Sequence, residues 1–250
     1  MNDQIFLIYP YFKTKENRNQ KLFNPLGISY LSSILKQNDI NVFKLDCTFK
    51  DLSDVVKEIV ESRPKIIGFY TMISLSRNTF NLLSLLKNQL PQSLYICGGP
   101  LATLYPDIFS KDSDIVFKGE ISFEFSKFVK DFFDQSFSKL EFIKSYDFSS
   151  LPGVYINHGK VKINNEPRHI STQEFQLLPN PDRGGFDHEK YQKFWFNNEG
   201  LKMTNIITTL GCPFNCDFCS KPIFGNKFRK RKISNIIQEI QEIVRVGYDT

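Results

Sequence analysis

Cys212, Cys216 and Cys219 stand at the spacing C-x3-C-x2-C within Thr209-Leu-Gly-Cys-Pro-Phe-Asn-Cys-Asp-Phe-Cys-Ser220. Three thiolates on one short loop can hold three irons of a 4Fe–4S cluster. The fourth iron then lacks a protein ligand and is open to a substrate or cofactor, which makes the cluster a reagent. Structural zinc is the competing reading, but it usually pairs a CxxC with a second pair or with histidines. Only His158, His169 and His188 are available, none in a His-x3-His arrangement. All three read as surface or linker residues. No general acid–base residue is needed to start such chemistry, and none is assigned. Asp217 reads as a loop-capping carboxylate and Glu120 as a hydrogen-bond acceptor for backbone at a domain junction.

A loop like this needs a strand before it and a helix after it. The apolar run Asn205–Thr208 precedes the cysteines, and Ile236, Ile237, Ile240, Ile243 and Val244 mark the face of a helix that follows, with Ser234 as N-cap and Gly247 as stop. From Met203 to Thr250 there are 48 residues (250 − 203 + 1), whereas a complete βα barrel takes about 200 or more. The expectation is the first unit of a barrel, in a fragment of a longer protein. Between the cysteines and that helix lie Lys227, Arg229, Lys230, Arg231 and Lys232. This basic run reads as a solvated loop or as a contact for an anionic cofactor or substrate.

Upstream, residues 1–135 alternate between strand and helix signals. Strands are expected at Ile5–Tyr9, Asn41–Leu45, Ile66–Met72, Leu94–Cys97 and Asp114–Phe117, with a polar loop running to Gln20 after the first. Asn24-Pro25 should open a helix over Leu26–Lys36, with Asn24 as its cap. Further helices follow from the stripes Leu52–Val60, Phe80–Leu90 and Phe123–Phe132, with a short one near Leu101–Tyr105. Five strands alternating with helices imply α/β architecture with a doubly wound parallel sheet, flavodoxin-like, whose ligands bind beyond the carboxyl ends of the strands. Gly98-Gly99-Pro100 falls at that edge. It admits either a close backbone approach by a bulky planar ligand or a simple tight turn. Residues 136–202 read as a hairpin at Val154–Ile163 and then an extended linker punctuated by Pro167, Pro179, Pro181 and Gly184-Gly185.

Composition sets the remaining bounds. Hydrophobic residues at 41%, charged residues at 24% and 25 phenylalanines indicate large buried cores. A net charge of +5, with no recurring basic–aromatic stripe, argues against a nucleic-acid partner. The N-terminus lacks the form of a signal peptide, and no stretch is long enough to span a bilayer. Clustered rather than paired cysteines suggest a reducing compartment, hence the cytoplasm.

At the cysteines the sequence resembles the radical S-adenosylmethionine (SAM) enzymes, whose signature is CxxxCxΦC with Φ aromatic. Phe218 occupies Φ. The resemblance makes Cys212, Cys216 and Cys219 cluster ligands and Phe218 a neighbour of the SAM adenine. Together with the upstream sheet, the chain is similar to the cobalamin-binding radical SAM family. Ile96-Cys-Gly-Gly-Pro-Leu101, Asp114-Ile-Val-Phe-Lys-Gly-Glu120 and Leu178-Pro-Asn-Pro-Asp182 resemble its fourth and fifth strand ends and its linker. The cobalamin carriers use DxHxxG to ligate cobalt. Here Asp46, Thr48 and Asp51 occupy those places, so no histidine ligand is expected, as in the radical SAM branch. Ser74, Gly98, Gly99 and Pro100 are implied to line the corrin and its nucleotide tail.

The chemistry implied is reductive cleavage of SAM to a 5′-deoxyadenosyl radical, then cobalamin-dependent methyl transfer to an unactivated carbon of a small molecule or peptide. An external one-electron reductant would serve as partner. A radical cyclisation or rearrangement, or a non-catalytic cobalamin-binding fragment, remains as an alternative. A methylthiotransferase is disfavoured, because only Cys47 and Cys97 precede the motif and its second cluster needs three cysteines.

Overall fold

The computed structural model describes residues 1–14, 21–120, 123–136, 138–220 and 223–249. The later part of the polar loop up to Gln20, and Thr250, lie outside them. Five parallel strands build the centre: β1 (Asn2–Tyr9), β2 (Val42–Asp46), β3 (Pro64–Tyr70), β4 (Leu94–Gly98) and β5 (Ile115–Phe117). Their order is β2-β1-β3-β4-β5, the flavodoxin-like arrangement expected from the alternation. The runs are apolar because parallel strands are covered on both faces. In β1, Ile5 and Leu7 face one core with α1 (Leu26–Lys36) and α6 (Glu124–Asp134). Phe6 and Ile8 face the other with α2 (Leu52–Ser62) and α3 (Ser76–Gln89). Two short helices, α4 (Pro100–Leu104) and α5 (Pro106–Ser110), lead from β4 to β5. Parallel pairing in register brings Tyr9, Asp46, Tyr70, Gly98 and Phe117 to one edge.

The phenylalanine excess is partly accounted for beside β5. Phe117, Phe125, Phe128, Phe142 and Phe148 form a chain of ring contacts 5.1–6.1 Å apart, joining β5 and α6 to α7 (Lys139–Ser145) and the turn behind it. Such pairs add to the area they bury.

Residues 136–202 are more than a hairpin and a linker. The hairpin β6 (Val154–His158) and β7 (Val161–Asn164) adds antiparallel to β5 and completes a seven-stranded sheet. Two helices follow, α8 (Thr172–Leu177) and α9 (His188–Glu199). Ser171 and Glu174 make a reciprocal capping box at the start of α8. In α9 only Tyr191 and Trp195, four apart, are buried, too thin a stripe to stand out in a charged segment. Trp195 donates its indole N–H to the Leu22 carbonyl at 2.7 Å.

Two expected caps are displaced. Asn24 does not cap α1; its Oδ1 accepts from Thr204 Oγ1 at 2.8 Å, and Pro25 stands at the cap without a side-chain bond. Ser234 lies inside α10 (Ile233–Arg245), which Lys232 precedes. The run 205–208 forms no strand, because a barrel strand needs parallel neighbours and none is present among the described residues. The chain pairs instead as a short antiparallel ribbon, β8 (Thr209–Leu210) with β9 (Arg229–Lys230). Ile233, Ile237, Ile240 and Val244 leave one face of α10 apolar and exposed.

His188 is not a surface residue. Its Nε2 lies 2.8 Å from the Arg183 carbonyl, which can only accept, so Nε2 carries the proton and Nδ1 accepts from Tyr248 O–H at 3.0 Å. Burial holds the imidazole below its ordinary pKa of 6.5. A base depressed on folding binds more protons when unfolded, so its contribution is complete above 6.5 and is lost as pH falls through that value and the lower folded one. The stability advantage of wild type over His188→Asn should therefore shrink between pH 7.5 and 5.5, by at most about 1.4 kcal/mol per pH unit. Urea unfolding of both proteins across that range checks it, and a constant gap refutes it.

Candidate cofactor site

The cysteine loop is closed at its neck by backbone. Thr209 pairs with Lys230 and Leu210 with Arg229, and the Cys212 N–H reaches the Gly225 carbonyl at 3.4 Å. Gly211 has φ +77°, and a Cβ there would lie 2.1 Å from the Lys227 carbonyl oxygen, so no other residue fits. Beyond the neck the loop stands in solvent. Cys212, Cys216 and Cys219 are exposed and outside any disulfide, and Phe218 is 92% exposed. Among the described residues no three Cys, His, Asp or Glu side chains converge as a metal site. The thiols share one closed loop without being gathered. As a donor set, three accessible thiols on one loop still fit a cluster ligated by three cysteines, and metal binding itself commonly organises such a loop.

The basic run divides in two. Lys227, Lys230 and Lys232 are solvated, but Arg229 and Arg231 are 2% and 4% exposed, which corrects the solvated-loop reading for both. Their anionic partners are protein carboxylates. Arg229 grips both oxygens of Glu120, while Arg231 and Arg183 share the two oxygens of the fully buried Glu239. Glu120 also accepts from the Ile170 N–H at 2.9 Å, so it does serve backbone.

At the carboxyl edge of the sheet lies an apolar cavity of about 260 Å³. Five glycines line it: Gly27, Gly68, Gly98, Gly99 and Gly119. A Cβ on Gly27 would come within 3.1 Å of the Tyr70 ring, and one on Gly68 within 3.3 Å of the Leu7 side chain. Here glycine keeps open space that side chains would take. Pro100 completes the expected turn in the wall, and Leu210, Ile223 and Phe224 bring the cysteine loop to the same cavity. Ser74 is not part of it. It is exposed on a single turn, Ile73–Leu75, beyond β3.

Beside the cavity, Asp46 ends β2 in a buried network. It accepts from the Thr48 N–H at 3.0 Å, from the Thr48 hydroxyl, and from Tyr191 O–H on α9 at 2.7 Å. Burial raises its pKa, against those hydrogen bonds. Thr48, at the place of the carriers' histidine, is 1% exposed and committed to this network.

A B12-binding-domain family profile matches residues 20–124. Over 225 residues the chain is 26% identical to an uncharacterized methyltransferase of Pyrococcus horikoshii, covering 86% of the chain and 45% of that protein. It is 23% identical to an anaerobic magnesium-protoporphyrin IX monomethyl ester cyclase of Rubrivivax gelatinosus, covering 97% and 43%. The solved structure of OxsB, a cobalamin-dependent S-adenosylmethionine radical enzyme, superposes with a TM-score of 0.71 at 16% identity, over 98% of this chain and 32% of that one. Residues 20–124 thus match the B12-binding domain family, and the fold is that of the OxsB structure. It spans less than half the length of these curated relatives.

Within that family frame, the cavity sits where ligands of doubly wound sheets bind. The sequence places Gly98–Pro100 and Lys118–Glu120 at the ligand edge, and both segments contribute to the cavity wall. It does not single out Gly27, which lies in the first turn of α1, or Gly68, which lies inside β3. Nor does it single out Tyr191, for which it carries no local mark. Gly99 has φ +104° and ψ −174°, a region essentially closed to other residues, and a Cβ there would lie 2.9 Å from the Thr71 carbonyl. Gly99→Ala should cost about 1–3 kcal/mol in urea unfolding. Gly159→Ala, in open space at a hairpin tip, should cost clearly less; equal losses would contradict the reading.

Proposed function

We propose that this chain is the cofactor-bearing part of a cobalamin-dependent radical SAM enzyme that methylates an unactivated carbon. The single observation that carries the reading is the meeting of two features: a glycine-walled cavity at the carboxyl edge of a B12-binding sheet, and an exposed three-cysteine loop that contributes Ile223 and Phe224 to that same cavity. The Pyrococcus horikoshii relative, named a methyltransferase, supports the reaction class.

In this proposal Cys212, Cys216 and Cys219 ligate a 4Fe–4S cluster through thiolate sulfur, and Phe218 offers its exposed ring to the adenine of SAM. Gly98, Gly99 and Pro100 would hold the nucleotide tail of cobalamin, and Ser74, exposed outside the cavity, would serve the corrin. The bound cofactors supply one-electron cleavage of SAM and methyl transfer. The chain's own residues position them and exclude water. Thr48 and Tyr191 turn their hydroxyls to Asp46, so this segment offers no imidazole to cobalt. The substrate is a small molecule or peptide, an external reductant provides electrons, and the cytoplasm is the compartment. Among the described residues no helix is long and apolar enough to cross a membrane.

A second reading, radical cyclisation without net methyl transfer, is favoured by one observation: the cyclase relative matches 97% of the chain. Product mass with isotopically labelled methyl-SAM separates the two. Anaerobic reconstitution tests the shared core. Wild type should gain the broad absorbance and spin-resonance signature of a 4Fe–4S cluster and retain a corrin spectrum after gel filtration. Cys216→Ala should lose the first and keep the second. Zinc at the thiols, with neither iron nor sulfide, would refute the cluster.

A further inference from the structure

Arg229 does not line the cavity, yet every group its guanidinium bonds belongs to a residue that does. It reaches both carboxylate oxygens of Glu120, the Ile170 carbonyl at 2.8 Å and the Phe224 carbonyl at 2.6 Å. Leu210, its partner across the ribbon, lines the cavity too. The arginine is 2% exposed, and a buried charge held by four acceptors has little freedom to shift alone. Glu120 sits just past β5, on the sheet. Phe224 sits in the cysteine loop, and Leu210 and Arg229 form its neck. One side chain thus fixes three walls of the cavity to one another and to the base of the loop that carries the thiols.

We infer that Glu120 and Arg229 couple the two cofactor sites: filling the glycine-walled cavity with a corrinoid tail orders the segments Cys212–Ser220 and Ile223–Phe228. The inference rests on the cobalamin reading above. A molecule filling the cavity touches Glu120, Ile170, Ile223 and Phe224. It therefore favours the arrangement that Arg229 already bridges, and loop fluctuations that pull Phe224 away become less accessible. By linkage, an ordered loop raises corrinoid affinity by the same factor. Arg229 and Glu120 are positioning residues here and touch no reacting atom.

The test uses metal-free protein, so that no cluster contributes. Hydrogen exchange of the loop amides is compared with and without saturating hydroxocobalamin, and bound corrinoid is read separately by absorbance after gel filtration. In wild type, exchange in the loop should slow at least ~5-fold on binding, the low end of ordinary coupling. In Arg229→Gln the corrinoid-dependent slowing should vanish, whatever the starting rate. Arg229→Lys keeps the charge but lacks the planar fork, and should show an intermediate response; it also decides the matter if Arg229→Gln does not fold. The coupling is overturned if corrinoid binds wild type without slowing the loop, or if the slowing persists in full in Arg229→Gln or, where that variant does not fold, in Arg229→Lys. If no corrinoid stays with wild type, the cofactor reading fails first, and the coupling with it.

Discussion

Two carboxylates, Glu120 partly and Glu239 fully buried, tie the cysteine-bearing end of the chain to the rest of it. Glu120 takes Arg229, and Glu239 takes Arg231 and Arg183. Such pairs contribute little net stability, because desolvating the ions offsets most of their attraction. Breaking one is another matter: an uncompensated buried charge costs about 3–5 kcal/mol. The pairs therefore act as a selection rule. Any packing in which the ribbon or α10 moves away from the sheet must strand a charge. Around them the contact is apolar but modest, with Leu26, Tyr30 and Ile34 of α1 meeting Ile170, Phe175 and Leu178, and Ile207 and Leu210 packed alongside. Hydrophobic contact alone tolerates sliding; a bidentate pair between planar groups does not.

The sheet edge shows the same division between what is filled and what is left open. Over β1 and β2, α9 lays Tyr191 against the strand ends, closing onto Asp46 and Thr48, while Trp195 packs on Leu22 and Phe23 before α1. Over β3, β4 and β5, glycines withhold side chains and a cavity remains. The difference follows from residue types. A buried carboxylate requires donors, so the chain supplies two hydroxyls and a backbone N–H to Asp46. A glycine edge requires nothing, so nothing in the chain fills it. The position that carries a metal-binding imidazole in the carriers is here a threonine whose hydroxyl is engaged in a buried hydrogen-bond network.

What was legible in the sequence was what depends on near neighbours. The five strands, the hairpin, and the spacing of Cys212, Cys216 and Cys219 all follow from period, turn residues and short-range spacing. What depends on partners far along the chain was not legible. Arg229 and Arg231 looked like part of a solvated basic run, because no local pattern shows that carboxylates 109 residues upstream and 8 downstream bury them. Asn24 looked like a helix cap until Thr204 claimed its oxygen. The hairpin was visible, but its antiparallel docking on β5 was not, since period-2 alternation says nothing about which edge a strand joins. The helix α9 failed for a different reason: two buried aromatics in a charged segment give too narrow a stripe.

The cysteine loop itself is where the fold spends least. Its neck is pinned by Gly211 and the ribbon, yet Phe214 and Phe218 stand 70% and 92% exposed among the thiols. Full burial of such a ring is worth about 1.5–3 kcal/mol, and the described residues collect little of it. An arc that keeps aromatic faces and three thiols in solvent between backbone anchors is what the proposed cluster and SAM would complete. The rigid part of the device is the neck, where a Cβ cannot fit and where Arg229 is buried. The exposed part is the arc carrying the three thiols. That distribution puts precision where the loop meets the sheet and leaves the thiols accessible.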